Sequence, residues 1–138
     1  MILFRDFKYF VKILFSVFFI FFQFLSIFGQ NQKVADSLVK IYLKNKVNNS
    51  EKLELLRNLS FNEVNNLVLS IKYADELIAL SLSEKNYLYL HRGYYQKGNK
   101  NRLRGDLNKA LNAFFKSVEA AIKAKFITGE GIAYMSIA

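Results

Sequence analysis

Between Lys85 and Arg104 the chain carries six cations (Lys85, Arg92, Lys97, Lys100, Arg102 and Arg104) and no acid. Tyr87, Tyr89, Tyr94 and Tyr95 are interleaved with them. At 3.6 residues per turn these side chains sort onto two faces of a helix. Arg92, Tyr95, Gln96, Asn99 and Arg102 share one stripe; Lys97, Lys100 and Arg104 share another. Guanidinium and amide groups in one stripe can hold a carboxylate through charge-assisted hydrogen bonds, which suits an acidic peptide or a partner's C-terminus. Cations mixed with aromatic rings also suit a nucleic-acid backbone or anionic lipid headgroups, and the net charge of +9 would help either. An ordinary solvated basic face is the third possibility.

Other chemistry is sparse. With no Cys the chain cannot build disulfides, thiolate metal sites or a cysteine nucleophile, and a single His rules out a His-rich metal site. That residue, His91, has no nucleophile in a suitable sequence context to serve, and reads as a surface or groove residue beside Tyr94. Glu51 and Glu54 stand about one turn apart; a metal or acid/base pair is one option, and favourable placement in a helix's first turn is the other. Asp106 reads as a helix cap. Gly129-Glu130-Gly131 lacks the spacing and the Lys of a phosphate loop and reads as a turn. No catalytic residue, metal or cofactor is expected within these 138 residues.

The elements that would position the basic stripe read as helices throughout. From Gln30 onward there is no strand alternation and no Asn-Gly or Asp-Gly hairpin. Val34, Leu38, Ile41 and Tyr42 form a first apolar stripe. Ser50 can cap a second helix carrying Leu53, Leu56 and Leu59. After a turn at Asn65–Asn66, a third stripe runs through Leu67, Ser70, Ile71, Ala74, Leu77 and Ile78. A fourth helix begins near Asn86 and carries Tyr87, Leu90, Tyr94 and Gly98. Gly105–Asp106 breaks the pattern before Leu107, Ala110, Leu111, Phe114, Val118 and Ile122. A second break at Gly129–Gly131 precedes a sixth helix from Ile132. Laid over each other, these turns repeat at a shift of 40 residues: Ser70 meets Ala110, Ile71 meets Leu111, Ala74 meets Phe114 and Ile78 meets Val118.

The first thirty residues look like an address. Arg5, Lys8 and Lys12 precede an uncharged run from Ile13 to Phe28, and ten of the fourteen Phe lie in this segment. Basic start, apolar middle and a small residue at Gly29 are the parts of a secretory signal peptide. Uncleaved, Val11 to Gly29 would reach about 28 Å and act as a signal anchor. Either outcome places the remainder outside the cytoplasm, in the periplasm or at the inner membrane, and makes nucleic acid an unfavoured partner.

The stretch Tyr94 to Phe114, YYQKGNKNRLRGDLNKALNAF, resembles a tetratricopeptide repeat. Tyr94 matches the large aromatic position, Gly98 the central small one, Gly105–Asp106 the inter-helix turn, and Ala110 with Phe114 the small–large pair. Lys97, Asn101 and Ile122 depart from the usual Leu, Tyr and Pro, and the period exceeds the usual figure of about 34. The resemblance covers about 51–138 and implies an all-α fold, with antiparallel helical hairpins stacked as a short α-solenoid behind the apolar leader. It divides the chain into leader 1–29, helix and linker 30–50, repeats at 51–90 and 91–130, and the start of a third at 131–138. It also implies that Arg92, Tyr95, Gln96, Asn99 and Arg102 line a concave groove, where Asn99 matches an Asn that in some members holds a peptide carboxylate. The whole pattern is similar to the exported repeat region of bacterial, Bacteroidetes-type signalling proteins, whose output is an adenylate/guanylate cyclase or a histidine kinase. A scaffolding or sensory fragment that binds protein is the function so implied.

Overall fold

Asn48, Asn66 and Asn86 each stop one connection and start one helix. Their side-chain oxygens accept the amide hydrogens of Glu51 (2.9 Å), Leu69 (3.0 Å) and Tyr89 (3.3 Å), satisfying donors that a helix start leaves unpaired. At Asn48 the Glu51 carboxylate reaches back to the Asn48 N–H, completing a capping box. In the computed structural model, which describes residues 32–138, these caps help define six helices and no strand among the described residues. They are α1 (32–44), α2 (Asn49–Asn62), α3 (Leu67–Ser83), α4 (Tyr87–Leu103), α5 (Leu107–Lys123) and α6 (Ile127–Ile137). The expected signal segment lies outside the described residues, and no described helix is long and apolar enough to cross a membrane.

The 40-residue shift is visible in the backbone as well as in the side chains. Asn45, Lys85 and Lys125, 40 residues apart, all adopt positive φ (45°, 54° and 54°). Each follows a helix end, and the hydrogen bonds repeat. Lys85 N–H donates to Leu82 O and Asn86 N–H to Ser81 O; Lys125 and Phe126 do the same to Ile122 and Ala121. This is the Schellman arrangement, usually built on glycine. Gly105 (φ 81°) closes α4 in the same way. Both α3 and α5 have 17 residues, and every buried position of α3 (Ser70, Tyr73, Ala74, Leu77, Ile78 and Ser81) is buried again 40 residues later in α5.

Short connections return the chain on itself, so each helix packs against the next, and α4 also touches α2. Leu53, Leu55, Leu56, Leu59, Tyr73 and Leu77 form the main apolar cluster, against which Leu38, Val39 and Tyr42 of α1 pack. Burying each of these leucines stabilises the fold by about 1.5–3 kcal/mol relative to exposure. Tyr42 also donates to Glu76 Oε2 (2.7 Å); that bond, with burial, pushes its hydroxyl pKa up to about 12. Between α4 and α5 the axes come close at Gly98, where a Cβ would lie 2.5 Å from the Phe114 ring.

Several local expectations change. Ser50 lies inside α2, because Asn48 has the Glu three residues on that a capping box needs. Asp106 stands at the start of α5 but makes no capping hydrogen bond; its carboxylate instead sits 3.6 Å from Arg104 and 3.9 Å from Lys109. Gly129 and Gly131 belong to α6, which begins at Ile127. Gly129 is there for close approach: a side chain would strike Phe126 and His91. Leu107, Leu111 and Ile122 of the fifth stripe are exposed, as are Val34 and Ile41 of the first. The helix pairs divide at 84–86 and 124–126, so the expected boundaries at 90/91 and 130/131 fall inside α4 and α6.

Candidate partner-binding groove on α4

Arg92, Tyr95, Gln96, Asn99 and Arg102 lie along one side of α4, and all five retain solvent exposure. Gly93, whose missing side chain admits Ile78, and Gly98 against Phe114 press the other parts of α4 onto α3 and α5. That leaves this stripe facing outward. Arg102 Nη2 donates to Asn99 Oδ1 (3.1 Å), and its guanidinium lies 5.8 Å from the Phe114 ring centroid. Tyr95 stacks on His91 at 6.1 Å and tilts against Phe114 at 5.9 Å. The Gln96 side chain makes no hydrogen bond among the described residues.

Arg92 is engaged in a network that the sequence stripe does not contain. Its Nη1 is 3.9 Å from Glu54 Oε2, and its guanidinium lies 5.0 Å from the Tyr89 ring centroid. Glu54 accepts from Arg57 Nη2 (2.8 Å), Asn58 Nδ2 (3.1 Å) and the Tyr89 hydroxyl (2.8 Å). The Arg57 hydrogen bond is the main reason its carboxyl is held below the usual carboxylate range, against the opposing effect of burial. Burial, then the bond to Glu54, pushes the Tyr89 hydroxyl up. Glu54 is therefore an ionised anchor joining α2 to α4. Glu51, one turn before it, stands in the first turn of α2 and is occupied at the cap. Among the described residues no three His, Cys, Asp or Glu side chains gather to hold a metal.

The second stripe is not the uniform basic face that its spacing suggested. Lys100 is buried (5% exposed), with its Nζ donating to Glu63 O (2.8 Å) and Phe61 O (3.2 Å) at the end of α2. Burial lowers its pKa, partly opposed by the nearby Glu63 carboxylate. Lys97 pairs with Asp75 at 2.7 Å. Glu63, itself buried, accepts from the amides of Asn65 (3.1 Å) and Asn66 (2.8 Å), holding the α2–α3 connection.

His91 is buried at 4% exposure and is not a surface or groove residue. Ser117 Oγ–H donates to the His91 carbonyl (3.1 Å), which fits a proton on Nδ1 donated toward Ser117 O (3.1 Å) and Oγ (2.8 Å). Burial lowers its pKa, the Ser117 carbonyl opposes that, and Arg92 lowers it further. A Ser–His pair at 2.8 Å is the spacing of an activated nucleophile, yet Ser117 is completely buried and no substrate can reach it. The pair joins α4 to α5, while Phe126 packs edge-on against the imidazole at 5.5 Å.

The α4 face offers guanidinium, phenol and amide donors on one helix, with Glu54 balancing the nearest arginines. The sequence reading placed Glu54 and Tyr89 separately and missed their meeting with Arg57 and Arg92, because it needs α2 beside α4, although Glu54–Arg57 is a readable one-turn ion pair. Compared with family models, with curated proteins and with solved structures, the chain matches none.

Proposed function

We propose that residues 51–138 form a tetratricopeptide-like interaction module whose α4 face docks a protein or peptide segment of acidic character. The observation that carries this reading is the 40-residue recurrence of buried positions and left-handed turns, which is the geometry of stacked helical hairpins. Such an array presents alternate helices on one surface, and α4 carries Arg92, Tyr95, Gln96, Asn99 and Arg102 there. The partner's carboxylates would accept from Arg92 and Arg102, with Asn99 and Gln96 fixing the peptide through amide hydrogen bonds. The reaction is recognition alone; chemistry would belong to another part of a larger envelope signalling protein, as the resemblance to cyclase and histidine-kinase sensors implies. Export of the module, cleaved or anchored, belongs to the same reading.

The test is capture on an array of acidic peptides with free C-termini, comparing the parent chain with the Arg92→Ala/Arg102→Ala variant. Loss of about tenfold or more in affinity at unchanged helicity supports the groove, since each charge-assisted hydrogen bond contributes about 1.5–3 kcal/mol. Equal capture by both chains overturns it. A secreted reporter fused after Gln30 separately tests export.

A further inference from the structure

We propose that the cleft between α4 and α5, on the side of α4 away from the groove, binds an organic phosphate. It is an open cleft of about 460 Å³. Lys97 reaches it from α4 and Arg104 from the turn after α4; Lys109, Asn112 and Lys116 reach it from α5. Tyr94, Ile71 and Ala113 supply a less polar wall. At 3.6 residues per turn, Tyr94, Lys97 and Arg104 fall on the opposite side of α4 from Arg92, Tyr95 and Asn99. The proposal therefore stands independently of the peptide-docking reading.

Charge accounting selects the ligand class. Four cations line one cleft, where they repel each other unless counter-charge is near. Asp75 takes Lys97 at 2.7 Å. Asp106 is shared between Arg104 (3.6 Å) and Lys109 (3.9 Å), too long for hydrogen bonds to either. The Lys116 ammonium lies 5.7 Å from the Tyr94 ring centroid and meets no carboxylate among the described residues. Within 4 Å these four cations meet two carboxylates, an excess of two; Glu119 lies farther along α5, beside Lys116 in the adjoining hollow. A phosphate monoester carries about −1.5 to −2 at neutral pH, whereas a single carboxylate would leave one cation uncompensated.

The donor arrangement agrees. Among the described residues Arg104, Lys109 and Lys116 donate no side-chain hydrogen bond, so their N–H groups are available to a tetrahedral oxyanion. Asp106 leaves the first amides of α5 without a side-chain cap, in a neighbouring hollow that shares Asn108 and Lys109 with the cleft. The cleft is larger than a bare phosphate needs and falls in the size range of small-molecule sites. The Tyr94 wall suits the organic portion.

The full chain in neutral detergent, titrated with phenyl phosphate and with sn-glycerol 3-phosphate, tests this by calorimetry. Binding of either supports the site. Tighter binding of phenyl phosphate indicates a soluble aromatic phosphate, and tighter binding of glycerol phosphate indicates a lipid headgroup. The Arg104→Ala/Lys109→Ala variant should bind at least about tenfold more weakly. Lys44→Ala/Lys52→Ala, which removes the same charge on α1 and α2, should change affinity less than about twofold. If the first variant loses helicity, Lys116→Ala decides, with an expected weakening of about threefold or more. Absence of binding by both phosphates overturns the proposal. So does equal loss in the two double variants, or benzoate or polyglutamate binding as tightly as phenyl phosphate.

Discussion

The pairs α2–α3 and α4–α5 solve the same packing problem with different residues. In the first, Leu53, Leu55, Leu56, Leu59 and Leu77 fill the interface with branched side chains, and the connection is closed by the buried Glu63. In the second, Gly98, Ala110, Ala113 and Ala121 bring backbones close around one large ring, Phe114, with a buried His91–Ser117 pair as the polar joint. A leucine interface spreads its stabilisation over many interchangeable contacts. The glycine–aromatic interface concentrates it on few, and so holds α4 in a fixed position for the two faces it presents.

The sharpest way to break this contrast is truncation. Phe114→Ala should cost about 3–5 kcal/mol and expose α4 and α5 amides to hydrogen exchange while sparing α2. Leu56→Ala should cost about 2–5 kcal/mol and weaken the first pair. In the Phe114→Ala background, Gly98→Leu should recover part of the loss by refilling the space above Gly98. No recovery would mean that Phe114 and Gly98 are not the coupled contact that their geometry suggests.

The joint between the pairs comes next. Lys100→Ala removes the donor to the Phe61 and Glu63 carbonyls and should cost about 1–3 kcal/mol in urea unfolding. A result near zero would show that water replaces the ammonium without penalty.

A pH series sharpens the comparison further. The folded pKa of His91 lies below its ordinary 6.5, so the unfolded chain takes up the proton first. Its contribution to stability is fully present well above pH 6.5 and is lost as the pH falls from there toward the depressed folded value. Hydrogen exchange should report that loss in α4 and α5 before α2, and His91→Phe should remove the slope assigned to this residue.

The smallest effect is expected at the turns. Lys85→Gly and Lys125→Gly relieve a left-handed conformation that disfavours side chains, and each should stabilise by about 0.5–1 kcal/mol in thermal unfolding. Destabilisation would mean that the lysine side chains hold the turns by contacts of their own.

The helical class and the 40-residue recurrence were legible because small and apolar residues repeat in register, Ala74 with Phe114 and Ile78 with Val118. Turns were legible only where composition carried the signal, as at Gly105. Lys85 and Lys125 gave none, since lysine has no preference for positive φ. Gly129 misled in the opposite direction, because a glycine that admits Phe126 looks in sequence like one that ends a helix. In the candidate groove, the outward stripe on α4 followed from spacing alone. Its electrostatics did not, since Glu54 lies 38 residues before Arg92; nor did those of the second stripe, where Lys100 meets carbonyls 37 and 39 residues earlier. Asp106 was read as a cap because its position is right; Arg104 and Lys109 draw the carboxylate away.

The regular spacing of Asn45, Lys85 and Lys125 also has a mechanical meaning. A load applied along the chain meets hydrogen-bonded joints at these positions and a further one at Gly105, so one helix pair can yield while the next still bears tension. Either 40-residue segment, Asn45 to Lys85 or Lys85 to Lys125, drawn out fully, provides roughly 130–145 Å of contour. The molecule would thus lengthen in increments whose size is set by the distance between two left-handed lysines.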